Sequence, residues 1–375
     1  MIDTVILNIS KKQVQVLDTQ NNPWDLQART DNYDKFVKNP TPTNIRSGLY
    51  FPRLTGYNRK NGKMLWEQMM KIEFSAPKLL YKNNLDELTE NQFGDVVLAL
   101  QDRLRQMGVI VTEEVLKTAV VATVHYSKNV ELKGGYTSQY VLSELGKINL
   151  NKRFDFAKAR FINDGQSLCA HTATHELIIY DKIADLIKSD KRTIDRDLPD
   201  YQMSLFRTLE KNSEVLRFED RLCKKTKINS LFKELGFGIN PTFKDVFSEE
   251  KSRKVLLWYW NKMFEGDNLF LFAHPLTAKD LLNQILLARL DIKGKNAIYL
   301  TGLVLVASEG NGLRELRAIL TKRSNDRTWY RIVDDLSDIT GKLAGLQPRE
   351  WFNQIKKEIE NYTPLKLSTL GVCKQ

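Results

Sequence analysis

The sequence predicts an α+β fold, with an antiparallel sheet in its N-terminal part and mainly helices after it. Short runs of alternating apolar and polar residues, typical of strands, recur through the first two thirds of the chain. The sequences "RKNG" (59–62) and "NDG" (163–165) separate such runs as hairpin turns do. Helical spacing begins near residue 224, and 375 residues exceed one average domain. We therefore predict two domains, 1–245 and 246–375.

The first part of the predicted sheet contains two strand pairs, a helix and a long strand. "TVILNIS" (4–10) and "QVQVLDT" (13–19) alternate as a first pair, and residues 48–75 form a long hairpin around the Asn-Gly turn. Residues 90–108 have apolar side chains at helical spacing and end in a glycine, as at a helix C-cap. Residues 117–132 form a strand with one polar face.

The second part of the sheet contains the segment with the most reactive side chains. Residues 152–162 and 166–180 are predicted to pair across the "NDG" turn. Tyr180 then lies where a strand gives way to the helix "DKIADLIKS" (181–189), which has acidic residues in its opening turns. Residues 214–222 alternate apolar with charged side chains, which predicts another strand with one wet face.

Residues 312–336 are predicted to form a helix, a short polar turn and a second helix. The second helix presents Arg327 and Arg331 near its start, which is compatible with a helix-turn-helix at a DNA groove. The alternative is an ordinary helical hairpin, which the acidic Asp334 and Asp335 favour.

Composition limits the classes of function. The formal net charge of +11 and the pI near 9.3 favour a polyanionic partner, nucleic acid first and an anionic membrane second; a generically basic protein is the alternative. No apolar run is long enough to span a bilayer, and no signal peptide is expected. Three widely spaced cysteines give neither a disulfide framework nor a zinc pattern and favour a reduced, cytoplasmic protein. No "GxSxG" or "GxxxxGK[ST]" motif supports serine catalysis or ATP hydrolysis.

The segment "HELIIYDKIADL" (175–186) raises the question of catalysis, because a tyrosine ends an apolar run and a lysine follows two residues later. A tyrosine that attacks phosphorus must lose its proton, and a lysine or a metal ion must neutralise the phosphate charge. Tyr180 and Lys182 are the candidate catalytic pair. The candidate ligands of the metal are Glu219, His125, His175 and Glu73.

Each of these side chains also has a purely structural interpretation. Tyr180 would be a half-buried packing residue, His125 a hydrogen-bonded surface histidine and Glu219 a member of a cross-strand ion pair. Glu73 would be structural, and Lys182 would lie on a solvated helix face.

Five segments occur in a characteristic order along the chain, and a sixth follows in its C-terminal part. They are "MIDTV" (1–5), "KIEFSAPKLLYKNN" (71–84), "VHYSKN" (124–129), "HELIIYDKI" (175–183), "VLRFEDRL" (215–222) and "SNDRTWYRIVDDL" (324–336). Together they are spread over most of the chain, from residue 1 to residue 336. In these segments the chain resembles the replication initiators of the filamentous-phage gene-two protein family. That family, with its plasmid and bacterial relatives, starts rolling-circle DNA replication.

The resemblance implies a sheet domain like that of nicking endonucleases, with Tyr180 as the nucleophile and Lys182 beside it. It also implies that Glu219, two residues after Arg217, is a ligand of Mg²⁺ or Mn²⁺. Phage members carry an arginine and an aspartate on the strand that corresponds to 119–129. Neither is present here, and His125 is the residue expected to substitute for them.

The implied activity is site-specific single-strand nicking and joining of DNA through a phosphotyrosine ester. The ester keeps the 5′ phosphate and frees a 3′ hydroxyl for the host polymerase, so rejoining needs no nucleotide cofactor. The expected partners are origin DNA, double-stranded and single-stranded, with a host polymerase and helicase and no membrane; the oligomeric state stays open. The residues predicted to contact DNA are Arg217, Arg221, Lys128, Arg327 and Arg331.

Two other classes of function stay open. The chain could bind an origin or operator without cutting it, or it could be a basic interaction module with no role on DNA. The Tyr-Asp-Lys element in a strand-rich domain favours the enzyme over the non-cutting DNA binder. The net charge argues against a module without a DNA role.

Overall fold

The computed structural model describes the chain over nine segments, two of them (35–38 and 158–162) as backbone alone. These segments are 1–17, 35–38, 48–60, 64–148, 158–162, 166–187, 213–323, 325–343 and 345–370. Within them, an antiparallel sheet formed by the N-terminal part packs against helices that dominate the C-terminal part. The predicted α+β class is confirmed.

The described strands form one nine-stranded sheet and a separate two-stranded pair. Neighbouring strands of the large sheet run antiparallel in the order β3-β4-β5-β1-β7-β11-β10-β9-β8. The small pair joins β2 to β6. The strands are β1 (Ile2–Ser10), β2 (Gln15–Val16), β3 (Lys35–Lys38), β4 (Arg53–Lys60), β5 (Trp66–Ser75), β6 (Val109–Ile110), β7 (Val120–Glu131), β8 (Lys158–Ile162), β9 (Ser167–His171), β10 (His175–Asp181) and β11 (Val215–Leu222).

The helices are short around the sheet and longer in the C-terminal part. None of those in the described segments is long and apolar enough to cross a membrane. They are α1 (Ala76–Tyr81), α2 (Phe93–Gln106), α3 (Glu113–Thr118), α4 (Ser138–Leu145), α5 (Lys182–Ile187), α6 (Lys225–Glu234), α7 (Phe243–Val246), α8 (Glu249–Phe264), α9 (Ala278–Ala288), α10 (Gly294–Ser308), α11 (Gly312–Leu320), α12 (Asp326–Thr340) and α13 (Glu350–Asn361).

The predicted hairpin over 48–75 is confirmed, because β4 and β5 pair from Arg53 opposite Glu73 to Lys60 opposite Trp66. The predicted pairing of 4–10 with 13–19 is wrong where it is described, because β2 pairs with β6 while β1 pairs with β5 and β7.

The hairpin across "NDG" is confirmed in the pairing of β8 with β9, although residues 152–157 lie outside the described segments. The predicted single strand 166–180 is wrong. A turn at 172–174, in which the Thr172 amide donates to the His175 carbonyl at 2.7 Å, divides it into β9 and β10. Because of this second hairpin, β10 lies next to β11, and β9 and β8 follow β10 in the sheet.

One face of the sheet, called here the helical face, is covered by α6, α7, α8 and α13. Phe74 packs edge-on against Phe243 at 5.5 Å between ring centroids, and Phe218 meets Trp260 at 5.7 Å. Each such ring contributes about 2–3 kcal/mol through burial. The contact of Trp260 with Phe352 at 4.8 Å extends the same core to α13. The core therefore continues across residue 245, and the division at that position stays a prediction.

Candidate active site

The opposite side of the sheet, called here the polar face, collects side chains from three neighbouring strands. Successive side chains of a strand point to opposite faces, so even positions of β10 and odd positions of β7 and β11 share this side. The pairs Ser127–Glu219 and Tyr180–Arg217 fix the register. The polar face consists of His125, Ser127, Asn129, Glu176, Ile178, Tyr180, Arg217, Glu219 and Arg221.

Tyr180 and Glu219 meet at the centre of the polar face. Glu219 lies opposite Ile178, so Tyr180 is its diagonal neighbour on β10, within reach of a long side chain. The Tyr180 hydroxyl donates to Glu219 Oε2 at 3.2 Å. The tyrosine is partly exposed, whereas the Glu219 side chain is 2% exposed. The predicted nucleophile and one predicted metal ligand are therefore in direct contact.

Cationic groups occupy both oxygens of Glu219. Arg221 Nε donates to Oε1 at 2.7 Å, and His125 Nδ1 lies 3.4 Å from the same oxygen. Arg217 Nε lies 3.4 Å from Oε2. Burial alone would raise the pKa of Glu219, but Arg221, His125 and Arg217 outweigh it and hold this pKa well below its ordinary value. The carboxylate stays ionised and holds the two guanidinium groups, the imidazole and the phenol together.

Arg217 is the buried anchor of this cluster. Its guanidinium, 1% exposed, contacts Asp3 at 3.1 Å and donates to Ser127 Oγ at 2.9 Å and to the Asn84 carbonyl at 2.5 Å. The segment around Asn84 thus covers one end of the polar face. Arg217 was predicted to contact DNA, but its donors are directed at protein groups inside the fold, so this prediction is wrong.

Lys182 supports the ring of Tyr180 rather than its oxygen. The Lys182 ammonium lies 5.5 Å from the Tyr180 ring centroid and donates to Asp185 at 2.9 Å. The side chain is 1% exposed, and burial lowers the pKa of Lys182 although Asp185 acts in the opposite direction. The contact fixes the position of the ring and turns the ammonium toward Asp185. That Lys182 steadies the phosphate or the phenolate stays a prediction.

The pKa of Tyr180 is raised well above its ordinary value near 10 by burial. Arg217 acts against this shift, while the negative charges of Glu219 and Asp185 add to it. The phenol is therefore protonated and hydrogen-bonded to Glu219 at neutral pH. Any attack by its oxygen must transfer the proton as the new bond forms, and Glu219 is the base already in contact with it.

His175 does not reach the site. It lies five positions before Tyr180 on β10 and points to the helical face, where its ring stacks on Tyr259 at 4.5 Å. Burial, with Lys227 nearby, lowers the pKa of His175 to about 3, so the imidazole is neutral. The prediction that His175 joins Glu219 in a metal site is wrong.

Glu73 lies on β5, three strands away from Glu219 along the order β5-β1-β7-β11. With strands about 4.8 Å apart, the two carboxylates are separated by roughly 14 Å. Glu73 is paired with Lys71 at 3.1 Å. The prediction that both glutamates hold one metal ion is wrong.

Lys128 points away from the polar face and is buried. Its ammonium, 1% exposed, donates to Glu87 at 2.8 Å and to the Thr363 carbonyl at 2.8 Å. The predicted DNA contact of Lys128 is therefore wrong. Tyr126, between His125 and Ser127 on β7, is also buried and donates to the Val246 carbonyl at 3.1 Å.

A divalent-metal site requires several oxygen or nitrogen ligands close together. Among the described residues, no group of three or more His, Cys, Asp or Glu side chains is placed to hold a metal ion. The donors that remain, Glu219 and His125, share their position with Arg221 and Arg217. A divalent ion on this carboxylate would lie beside two guanidinium groups of the same sign, so the residues do not fit Mg²⁺ or Mn²⁺.

Comparison of the chain with protein-family models, with curated proteins and with solved structures gave no match. The resemblance to replication initiators therefore rests on the sequence segments alone.

Asp220 was missed by the sequence analysis. It lies on the helical face of β11, directly after Glu219, and is 0% exposed beside Phe218 and Trp260. Within the described segments neither of its carboxyl oxygens has a hydrogen-bond partner. Burial, followed by the charge of Glu219, raises the pKa of Asp220 well above its ordinary value, against a smaller opposing effect of Lys227. The sequence contained one indication of this residue: Asp220 occupies a position of segment 214–222 at which the alternation predicts an apolar side chain.

Replacing Asp220 by asparagine is expected to stabilise the protein increasingly as pH rises. The unfolded carboxyl loses its proton near its ordinary pKa of 3.8, while the folded one keeps it, so each pH unit above that value costs the folded state up to about 1.4 kcal/mol. Asparagine removes this cost. Urea unfolding at pH 5 and pH 8 measures the difference, with exposed Asp291→Asn as the control; a gain independent of pH would contradict the account.

Proposed function

We propose that this chain nicks and rejoins one strand of DNA through Tyr180 and so initiates rolling-circle replication. The observation that carries the proposal is the contact of the partly exposed Tyr180 phenol with Glu219, with the partly exposed Arg221 on the same carboxylate. A partly exposed phenol held to a base beside a guanidinium has the parts that phosphoryl transfer to tyrosine requires.

The proposed step forms one bond and breaks one. The Tyr180 oxygen attacks phosphorus, its proton passes to Glu219, and the bond from phosphorus to the 3′ oxygen breaks. The 3′ oxygen leaves as a hydroxyl by taking that proton from Glu219, directly or through water, so Glu219 returns to its ionised form and the proton balance is zero. The 5′ phosphate stays on the tyrosine, and the reverse attack by a 3′ hydroxyl rejoins the strand with no nucleotide cofactor.

A second surface for DNA is proposed at the turn between α11 and α12. Arg327 and Arg331 are exposed on the first turns of α12, next to exposed Lys322 and Arg323. In the described part of the chain none of these four cations has an ion-pair partner. Two of the acids that follow on α12 are engaged elsewhere: Asp335 accepts a hydrogen bond from Tyr299 at 3.3 Å, and Asp338 pairs with Arg289 at 2.9 Å. This arrangement supports phosphate contacts by Arg327 and Arg331.

Reversing both charges, Arg327→Glu with Arg331→Glu, is expected to weaken binding to duplex DNA. Each lost phosphate contact reduces the magnitude of the slope of log K, the association constant, against log salt concentration by about 0.9. Fluorescence anisotropy across a salt series measures both quantities. The double variant Lys293→Glu with Lys295→Glu carries the same change in charge on the exposed start of α10 and serves as the control. Equal losses in both variants would show a non-specific effect of net charge.

The enzymatic proposal is tested by trapping the ester. The protein is incubated with supercoiled DNA that carries its own coding region and flanks, with Mg²⁺, Mn²⁺ or a chelator, and then denatured. A covalent adduct that mass spectrometry maps to Tyr180 is the expected result. Binding without an adduct under every condition would favour the alternative, a protein that binds an origin or operator without cutting it.

The proposed function also implies the partners of the chain and the place where it acts. The DNA partners are double-stranded and single-stranded origin sequences, the freed 3′ hydroxyl serves a host polymerase, and a host helicase separates the strands. Such a protein would act in the cytoplasm. Co-purification of polymerase and helicase with the chain on nicked DNA measures this part separately from the chemistry.

A further inference from the structure

Arg221 differs from the other cations of the site in its exposure. Its side chain is 31% exposed, whereas that of Arg217 is 1% exposed on the same carboxylate. The two guanidinium groups therefore divide into a buried one that holds the fold and an open one that a ligand can reach.

The hydrogen bonds of Arg221 leave part of its donor set available. Nε donates to Glu219 at 2.7 Å and Nη1 donates to Glu176 at 3.3 Å, while Nη2 has no partner in the described segments. The Nε bond fixes the group on the carboxylate that also holds the Tyr180 hydroxyl. The unused N–H thus belongs to a guanidinium on the same carboxylate as the phenol, and a guanidinium N–H is a donor suited to phosphate oxygens.

The position that a metal ion would take is already filled by positive charge. Arg221 and Arg217 lie against the two oxygens of Glu219, and His175 and Glu73, the other candidate ligands, point elsewhere. Fixed cations aimed at developing charge can stabilise phosphoryl transfer without an ion.

We propose, on the basis of the function proposed above, that Arg221 binds the scissile phosphate and neutralises it, so that strand transfer to Tyr180 needs no divalent metal. Glu219 positions both reacting groups: it holds the phenol through Oε2 and the guanidinium through Oε1. The charge that develops on the phosphate oxygens is matched by Arg221, and no co-reactant beyond DNA enters the step.

The experiment compares adduct formation in a chelator with adduct formation in Mg²⁺ or Mn²⁺, on the supercoiled DNA described above. Equal yields at Tyr180, within about twofold, are expected. Arg221→Gln is expected to lower the rate on the order of 10²-fold, as removal of one charge-stabilising donor does, and Arg221→Lys to recover part of that loss. Circular dichroism checks that both variants are folded.

A readout independent of activity is the binding of Mn²⁺ followed by electron paramagnetic resonance. No stoichiometric Mn²⁺ site that depends on Glu219 is expected. An adduct that forms only with metal, or a Mn²⁺ site lost in Glu219→Gln, overturns the metal-free inference while leaving the proposed function standing. An adduct under no condition overturns both.

Discussion

Replacing Tyr180 by phenylalanine is expected to abolish covalent attachment of the chain to DNA, a fall on the order of 10³-fold or more, as for loss of a catalytic nucleophile. The hydroxyl makes one described hydrogen bond, to Glu219, while the ring keeps its contact with Lys182. The substitution therefore removes the nucleophile and leaves the packing in place. Denaturing gels that display protein bound to labelled DNA measure the effect.

Tyr140→Phe is the matched control. Tyr140 is 39% exposed on α4, and its hydroxyl accepts a hydrogen bond from Arg349 rather than from a group of the polar face. This variant is expected to form the adduct at the wild-type rate. Persistence of the adduct in Tyr180→Phe would move the nucleophile to another residue and remove the basis for the proposed mechanism.

The largest expected loss of stability follows Arg217→Leu, at about 3–5 kcal/mol in the free energy of unfolding. Arg217 contacts Asp3 and Glu219 in the interior, and both carboxylates are themselves buried. Leucine would leave the Asp3 carboxylate without its ion pair, and it would remove one of the positive charges that stabilise the Glu219 carboxylate. Unfolding in urea at pH 7, with the slope checked for two-state behaviour, measures the change.

Arg221→Leu provides the comparison, because it removes a guanidinium from the same carboxylate at a position open to water. A clearly smaller loss is expected, since exposed ion pairs contribute little and Arg217, His125 and Tyr180 remain on Glu219. Losses of similar size would show that burial is not what distinguishes the two arginines. In that case Arg217 would not be the structural anchor inferred here.

Period-two alternation was sufficient to predict much of the candidate site. It places His125 on the polar side of β7, and Arg217, Glu219 and Arg221 on the polar side of β11, as the structure has them. The same rule applied to β10 separates His175 from Tyr180, because five positions along one strand lead to opposite faces. The error at His175 came from choosing a residue by its chemistry without applying the alternation.

Other features depended on information that no single segment contains. The distance between Glu73 and Glu219 follows from the order of strands in the sheet, which local pattern does not determine. The burial of Arg217 depends on the Asn84 segment, more than 100 residues earlier in the chain. The turn at 172–174 has neither glycine nor asparagine, so turn composition did not reveal it.

The pairing of β7 with β11 has a consequence for how the molecule is made. Ser127 and Arg217 are 90 residues apart in sequence, and closing so long a loop is slow compared with forming a local helix or hairpin. On the ribosome, the edge of β7 that pairs with β11 stays unpaired until β11 has left the exit tunnel. A nascent chain therefore holds its tyrosine apart from its glutamate until most of the polypeptide has been synthesised.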